Sequence, residues 1–259
     1  MSRPSCIRML QNRFDLHGLT PTQTNLVLPN DMGSIEVTTF DVEQCIYSLL
    51  VDKDLMSEEN LLLPNLDNNP TVINDIDSSS VYRSAYQRLI KFPEDELLCP
   101  IMLYSDKTHL DTQGKLTLEP VSFTLGIFNR RARRYTYAWR TLGYVNNFAY
   151  HYHVKNATER AIAYHAVLAH ILQPLKKLQE SGPLLWPYLK INGRNKPVMM
   201  QFPVFCILGD MDGHDRMIGR YTSRTPNVKF CCRYCNCPTQ EVGNPWYRYK
   251  HTLKQDIKP

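Results

Sequence analysis

Apolar residues along the chain change period several times, and each change predicts an element. Residues 1–39 are rich in Pro, Thr and Asn with weak periodicity, which predicts a loop-like arm. Behind the acidic first turn that starts at Asp41, Cys45, Ile46, Leu49 and Leu50 recur at helical spacing and predict a short helix. Residues 64–80, from Pro64 through Pro70 to Ser78-Ser79-Ser80, read as a linker that ends in an N-cap. Tyr82, Ala85, Tyr86, Leu89 and Ile90 then mark an amphipathic helix stopped before Pro93. Three strands follow, over 100–106, 118–128 and 135–145, with an arginine-rich hairpin tip between the last two. Ile162, Val167, Leu168, Ile171, Leu172 and Leu175 share one side of a long helix over 159–180, capped by Thr158, kinked at Pro174 and ended by Ser181-Gly182-Pro183. A hairpin around Gly193 leads into a strand over 202–209, and another helix opens at Asp210.

The order strand, strand, strand, helix, strand predicts an α/β fold. A three-strand meander whose crossover helix returns a fourth strand beside the first is the plan of the ribonuclease H fold: a mixed sheet with flanking helices. A generic mixed sheet fits the same periodicities. Both of the strands that would become neighbours end in a carboxylate, Asp106 after Ile101-Met-Leu-Tyr-Ser and Asp210 after Phe205-Cys-Ile-Leu-Gly. Strand ends hold oxygen ligands rigidly, and aspartate is a hard ligand of the kind Mg²⁺ or Mn²⁺ takes, so the pair predicts a two-metal phosphoryl-transfer site. Each has a plainer reading as well. Asp106 could cap a turn, and Asp210 suits a helix N-cap in Gly209-Asp210-Met211-Asp212-Gly213. Asp212 and Asp215 are nearby substitutes.

Charge sharpens this picture. Residues 31–99 carry 14 acidic against 4 basic side chains, and residues 100–259 carry 10 against 23. A basic half beside metal-binding carboxylates suits a polyanionic substrate. Arg130, Arg131, Arg133 and Arg134, followed by Tyr135, Tyr137 and Trp139, form a candidate backbone grip with no base-reading signature. The competing reading is a solvated basic turn. No run of 18 apolar residues predicts a membrane span, and the first residues lack a signal-peptide core, so a nuclear or otherwise intracellular protein is expected. No Walker loop or nucleophile elbow is present, which removes support for nucleotide hydrolysis and serine chemistry.

The eight cysteines then favour thiols or metal ligands over disulfides. Cys232 and Cys235 have the spacing of a zinc half-site, Cys237 is a possible third ligand, and His251 or His214 could complete it as a structural Zn²⁺ centre. A reduced cysteine cluster in a turn is the alternative. His151 and His153 are placed in a loop after the third strand.

Three segments resemble the Plavaka-type transposases, relatives of the CACTA superfamily of DNA transposons. They are Pro100 to Leu110 with its Ser-Asp106-Lys-Thr step, Gly126 to Arg134 followed by Leu142-Gly143-Tyr144, and Gly209-Asp210 with Cys232-Arg-Tyr-Cys235-Asn-Cys237-Pro238 downstream. Together they cover roughly residues 81–245. The resemblance implies a DDE-type nuclease core on a ribonuclease H fold, interrupted by a zinc-binding insertion, with Asp106 and Asp210 as the first and second catalytic carboxylates. It also implies a late glutamate. Glu241, the only Glu beyond Asp210, lies where the resemblance places a turn, so no third acid is assigned. The expected organisation is an N-terminal extension over 1–80, an incomplete core over 81–225, and a Cys-rich insertion and tail over 226–259. The expected function is a transposase-derived domain, a truncated or inactive copy, with DNA as partner and a homo-oligomer as a possible state. The alternatives are a non-catalytic DNA-binding protein and a zinc-stapled protein-interaction module.

Overall fold

A computed structural model describes residues 19–62, 75–109, 117–148, 151–191, 194–217, 238–241 and 244. The chain divides into two compact units, residues 1–209 and 210–259. The first is mixed α/β. Its larger sheet runs in the order β1 (Thr22–Val27), β2 (Ser34–Thr39), β7 (Arg140–Val145), β6 (Thr117–Leu125), β4 (Ile101–Ser105), β10 (Val204–Leu208), with the short β5 (Thr108–His109) paired to β6. A second sheet has the order β3 (Glu96–Leu98), β9 (Arg194–Gln201), β8 (Leu184–Ile191).

Strands β4, β6 and β7 form the expected antiparallel meander. Helix α3 (Ala157–Ser181) crosses over and, after the β8–β9 hairpin, the chain returns as β10, parallel to β4. The core is the apolar face these elements share: Ile101, Leu103, Phe123, Leu125 and Leu142 are buried in the sheet, and Val167, Ile171 and Leu175 on α3. Helix α1 (Val42–Leu50) buries Val42, Cys45, Ile46, Leu49 and Leu50, and Cys45 Sγ donates to the Thr141 carbonyl on β7 at 3.8 Å. Gly143 is a point of close approach between α3 and the sheet. A Cβ there would lie 2.8 Å from the Thr38 carbonyl and 3.1 Å from Ile171 Cγ1, so only glycine lets β2, β7 and the helix meet.

Helix ends follow side-chain chemistry. Asp41 caps α1 by accepting from the Gln44 amide, and Ser79 caps α2 (Ser80–Leu89) by accepting from the Tyr82 amide. Helix α3 is capped by Asn156, not Thr158, because Asn156 Oδ1 takes the Glu159 amide at 2.9 Å. It runs on through Pro174.

Three expectations need correction. The arm over 1–39 is not loop-like where it is described: β1 and β2 form a hairpin that joins the main sheet. Its turn carries Asn30 and Asp31 at φ 56° and 55° and Gly33 at φ 76°, left-handed positions these residue types tolerate. The third strand begins at Arg140, not 135. Residues Ala132–Arg134 and Thr136–Ala138 coil into two 3-10 turns, with Ala132 and Ala138 fully buried. The arginine cluster therefore lies in a long coiled β6–β7 connection, with Arg133 and Arg134 on the first turn, and not at the tip of a tight hairpin. The three-stranded sheet was not foreseen, since β3 is only three residues long and pairs in parallel with the distant β9.

In the second unit, α4 (Met211–Met217) and a 3-10 turn over Thr239–Glu241 are described. Cys231, Cys232, Cys235, Cys237 and His251 lie outside the described residues. No helix among the described residues is long and apolar enough to cross a membrane.

Candidate functional site

The site is organised around the carboxyl end of β4. Alternation along a strand puts Ser105 on one face and Tyr104 and Asp106 on the other. Ser105 is buried, and its hydroxyl donates to Glu119 Oε1 at 2.9 Å. Tyr164 on α3 donates to the same oxygen at 2.8 Å. Glu119, 4% exposed, thus binds β4, β6 and α3 together under the strand end. A buried carboxylate costs stability unless hydrogen-bonded, and these hydroxyls supply the bonds.

On the opposite face Asp106 is half-buried, and its Oδ2 accepts from the Tyr104 hydroxyl at 3.1 Å. The Tyr104 ring meets Trp139 edge-on, centroids 6.1 Å apart. One oxygen of Asp106 is thereby oriented, while Oδ1 has no hydrogen-bond partner among the described residues.

Strand β10 runs parallel to β4 with Ile207 opposite Leu103 and Leu208 opposite Tyr104. Each of the last paired residues is followed, two positions on, by an aspartate. Asp210 opens the second unit as the N-cap of α4: its Oδ1 accepts from the Gly213 amide at 2.6 Å, and its carbonyl takes the His214 amide at 3.1 Å. The residue is exposed. Of the substitutes, Asp215 is buried on α4. Carboxylate oxygens at Asp106 and Asp210 are hard donors of the type Mg²⁺ or Mn²⁺ takes. Among the described residues, no group of three or more His, Cys, Asp or Glu side chains could hold a metal ion.

The arginines divide. Arg130, Arg131 and Arg134 are exposed, whereas Arg133 is turned inward. Its Nη2 pairs with Asp75 Oδ1, and its Nη1 donates to the Phe128 carbonyl at 2.6 Å. Asp75 also accepts the Arg130 amide at 2.8 Å. Arg140, buried at the start of β7, donates to the Tyr137 and Trp139 carbonyls and to Ser48 Oγ on α1. Burial lowers the pKa of its guanidinium to about 10. Three parts of this arrangement were missed in the sequence. Glu119 stood out only as an acid inside an apolar strand, and the partners of Arg133 and Arg140 lie 58 and 92 positions away.

No curated protein matches the chain. A family model described as Plavaka transposase matches residues 15–192. That stretch takes in the β1–β2 hairpin, Asp106 and the arginine turns, and it ends before Asp210 and the Cys-rich segment. With well over half of its residues in the match, and with a mixed sheet flanked by helices, the chain belongs to the Plavaka transposase family.

Proposed function

We propose that this chain is the ribonuclease H-like core of a DDE-type transposase, with Asp106 and Asp210 as two carboxylate ligands of a divalent-metal centre that works on DNA phosphodiesters. The observation that carries the reading is the parallel β4–β10 pair, whose ends are in register and each lead into an aspartate. Membership of a transposase family brings DNA as partner and a general dependence on divalent metal.

The chain's own residues have distinct tasks in this reading. Tyr104 fixes one oxygen of Asp106, and the other would be the one to hold an ion. The Gly213 amide does the same for Asp210. The Glu119–Ser105–Tyr164 bonds stiffen the strand end that carries Asp106. Arg130, Arg131 and Arg134 hold the DNA backbone. Bound Mg²⁺ or Mn²⁺ would supply an acidified attacking hydroxyl and charge neutralisation at the leaving oxygen.

Two assigned carboxylates fit metal and DNA binding better than rapid cleavage, because a second ion would lack an anchor. We therefore expect these residues to hold metal and DNA, with cleavage slow or absent. The Cys232, Cys235, Cys237 and His251 set is proposed as a structural Zn²⁺ site, on the strength of its spacing.

The test is a pair of assays on one protein: salt-dependent DNA binding, and nicking of supercoiled DNA with Mg²⁺ or Mn²⁺. Salt-sensitive binding without nicking is the expected outcome. Nicking abolished by Asp106→Asn would establish an active nuclease, and absence of DNA binding at low salt would sink the reading.

A further inference from the structure

The segment Arg130–Trp139 does more than present positive charge. Its backbone is held from many sides. Ala132 and Ala138 anchor the two 3-10 turns in the core. Asn129 Oδ1 accepts the Ala132 amide, Thr124 Oγ1 donates to the Ala138 carbonyl at 2.6 Å, and Trp139 Nε1 donates to the Arg133 carbonyl at 2.9 Å. Asp75 and Arg140 fix the two ends. A segment tied down in this way is pre-organised, so binding to it costs little ordering entropy.

This rigid frame carries two stacked rings, the Tyr135 ring exposed and the Tyr137 ring half-buried. Tyr135 and Tyr137 stack with centroids 5.2 Å apart and planes within 11° of parallel. Tyr135 is 48% exposed. Arg130, Arg131 and Arg134, all exposed, lie just before the pair in sequence, and among the described residues none of these three is in an ion pair. The stretch from Arg130 to Arg140 contains no acidic residue. Trp139, at its end, touches the Tyr104 ring that orients Asp106.

We infer that the Tyr135–Tyr137 pair is a stacking platform for an unpaired nucleotide, so this face takes single-stranded DNA in preference to duplex. The inference deepens the reading of the chain as a DNA-binding transposase domain and rests on it. The arginines alone would grip the phosphates of either form. The faces of a base inside a duplex are covered by its neighbours, whereas a base in a single strand has a face to give to a ring, and such stacking tolerates any sequence. Trp139, at the end of the same segment, meets the Tyr104 ring that bonds Asp106.

The test measures binding of a labelled 20-nucleotide single strand and of the matching duplex by fluorescence anisotropy, at several salt concentrations. Tyr135→Ala should weaken single-strand binding about five- to a hundredfold, with duplex binding changed less than twofold. Tyr135→Phe, which keeps the ring, should bind like the native chain. Replacing Arg130, Arg131 and Arg134 together by Gln should weaken both forms and flatten the single-strand salt slope by about 2. Circular dichroism confirms that each variant is folded. Unchanged single-strand affinity in Tyr135→Ala, or an equal loss on both forms, overturns the platform alone. Absence of binding to either form by the native chain overturns the DNA reading beneath it.

Discussion

Removing the carboxylate of Asp75 should loosen the arginine turns and destabilise the first unit. Asp75 Oδ1 accepts from the Ile76 amide at 2.7 Å and pairs with Arg133, while Oδ2 accepts from the Arg130 amide at 2.8 Å. The two side chains are only 9% and 11% exposed. In Asp75→Ala, Arg133 keeps its bond to the Phe128 carbonyl but loses its counter-charge, and two backbone donors are orphaned. Breaking a buried ion pair from one side costs about 3–5 kcal/mol. The remaining carbonyl bond and the residual exposure put this pair at the lower end, about 3 kcal/mol. For a chain of this size that is a fall in Tm of about 6–12 °C. Arg133→Ala should cost less, about 2 kcal/mol, because the stranded carboxylate keeps two amide donors. The double variant should lose less than the sum of the two. Urea titration followed by tryptophan fluorescence measures all three, and DNA binding adds a second readout: Arg133→Ala should leave the salt slope unchanged, whereas Arg134→Ala should lower it by about 0.9. Single losses below about 1 kcal/mol, additivity within about 0.3 kcal/mol, or a lowered slope in Arg133→Ala would refute the structural role.

Two further outcomes follow from packing and burial. Gly143→Ala should cost about 1–3 kcal/mol, since its Cβ would meet a backbone carbonyl as well as Ile171, and a thermal melt reads the loss. Burial pushes the Cys45 thiol from its usual 9.0 up to about 12. The thiol is neutral in both states below pH 9, and between pH 9 and 12 the unfolded chain ionises first, so stability falls as pH rises through that window. Cys45→Ala should therefore show a smaller drop in Tm between pH 8 and pH 10.5, and native Cys45 should resist iodoacetamide at pH 8 until urea is added, as followed by peptide mass spectrometry.

Much of the scaffold was legible because burial leaves a plain trace. Strand β4 is a short, mostly buried apolar run ended by Asp106, and α3 repeats its apolar residues at helical spacing over 25 residues; β10 is half-buried to exposed and was legible from its apolar composition alone. The β1–β2 hairpin was hidden because β1 is an edge strand with no buried residue, and Val27 is exposed. The turn Pro29-Asn30-Asp31-Met32-Gly33 was the available signal. Residues 135–139 read as strand because aromatics and β-branched residues favour pleated surfaces. Hydrogen bonds from Arg140, Trp139 and Thr124 to local carbonyls outweigh that preference. Asp106 and Asp210 could be picked out as strand-end acids, and the N-cap reading of Asp210 matches its bonds to Gly213 and His214. Arg133 could not be separated from its neighbours, since its partner lies across the sequence at Asp75.

The most direct test of the metal reading is affinity cleavage of the protein backbone by Fe²⁺ bound in place of Mg²⁺, with ascorbate and peroxide. Cuts should cluster within a few residues of Asp106 and of Asp210, compete away with Mg²⁺, and vanish at both places in either Asp106→Asn or Asp210→Asn. Cuts beside one aspartate that ignore the loss of the other would show that the two carboxylates do not hold a common ion.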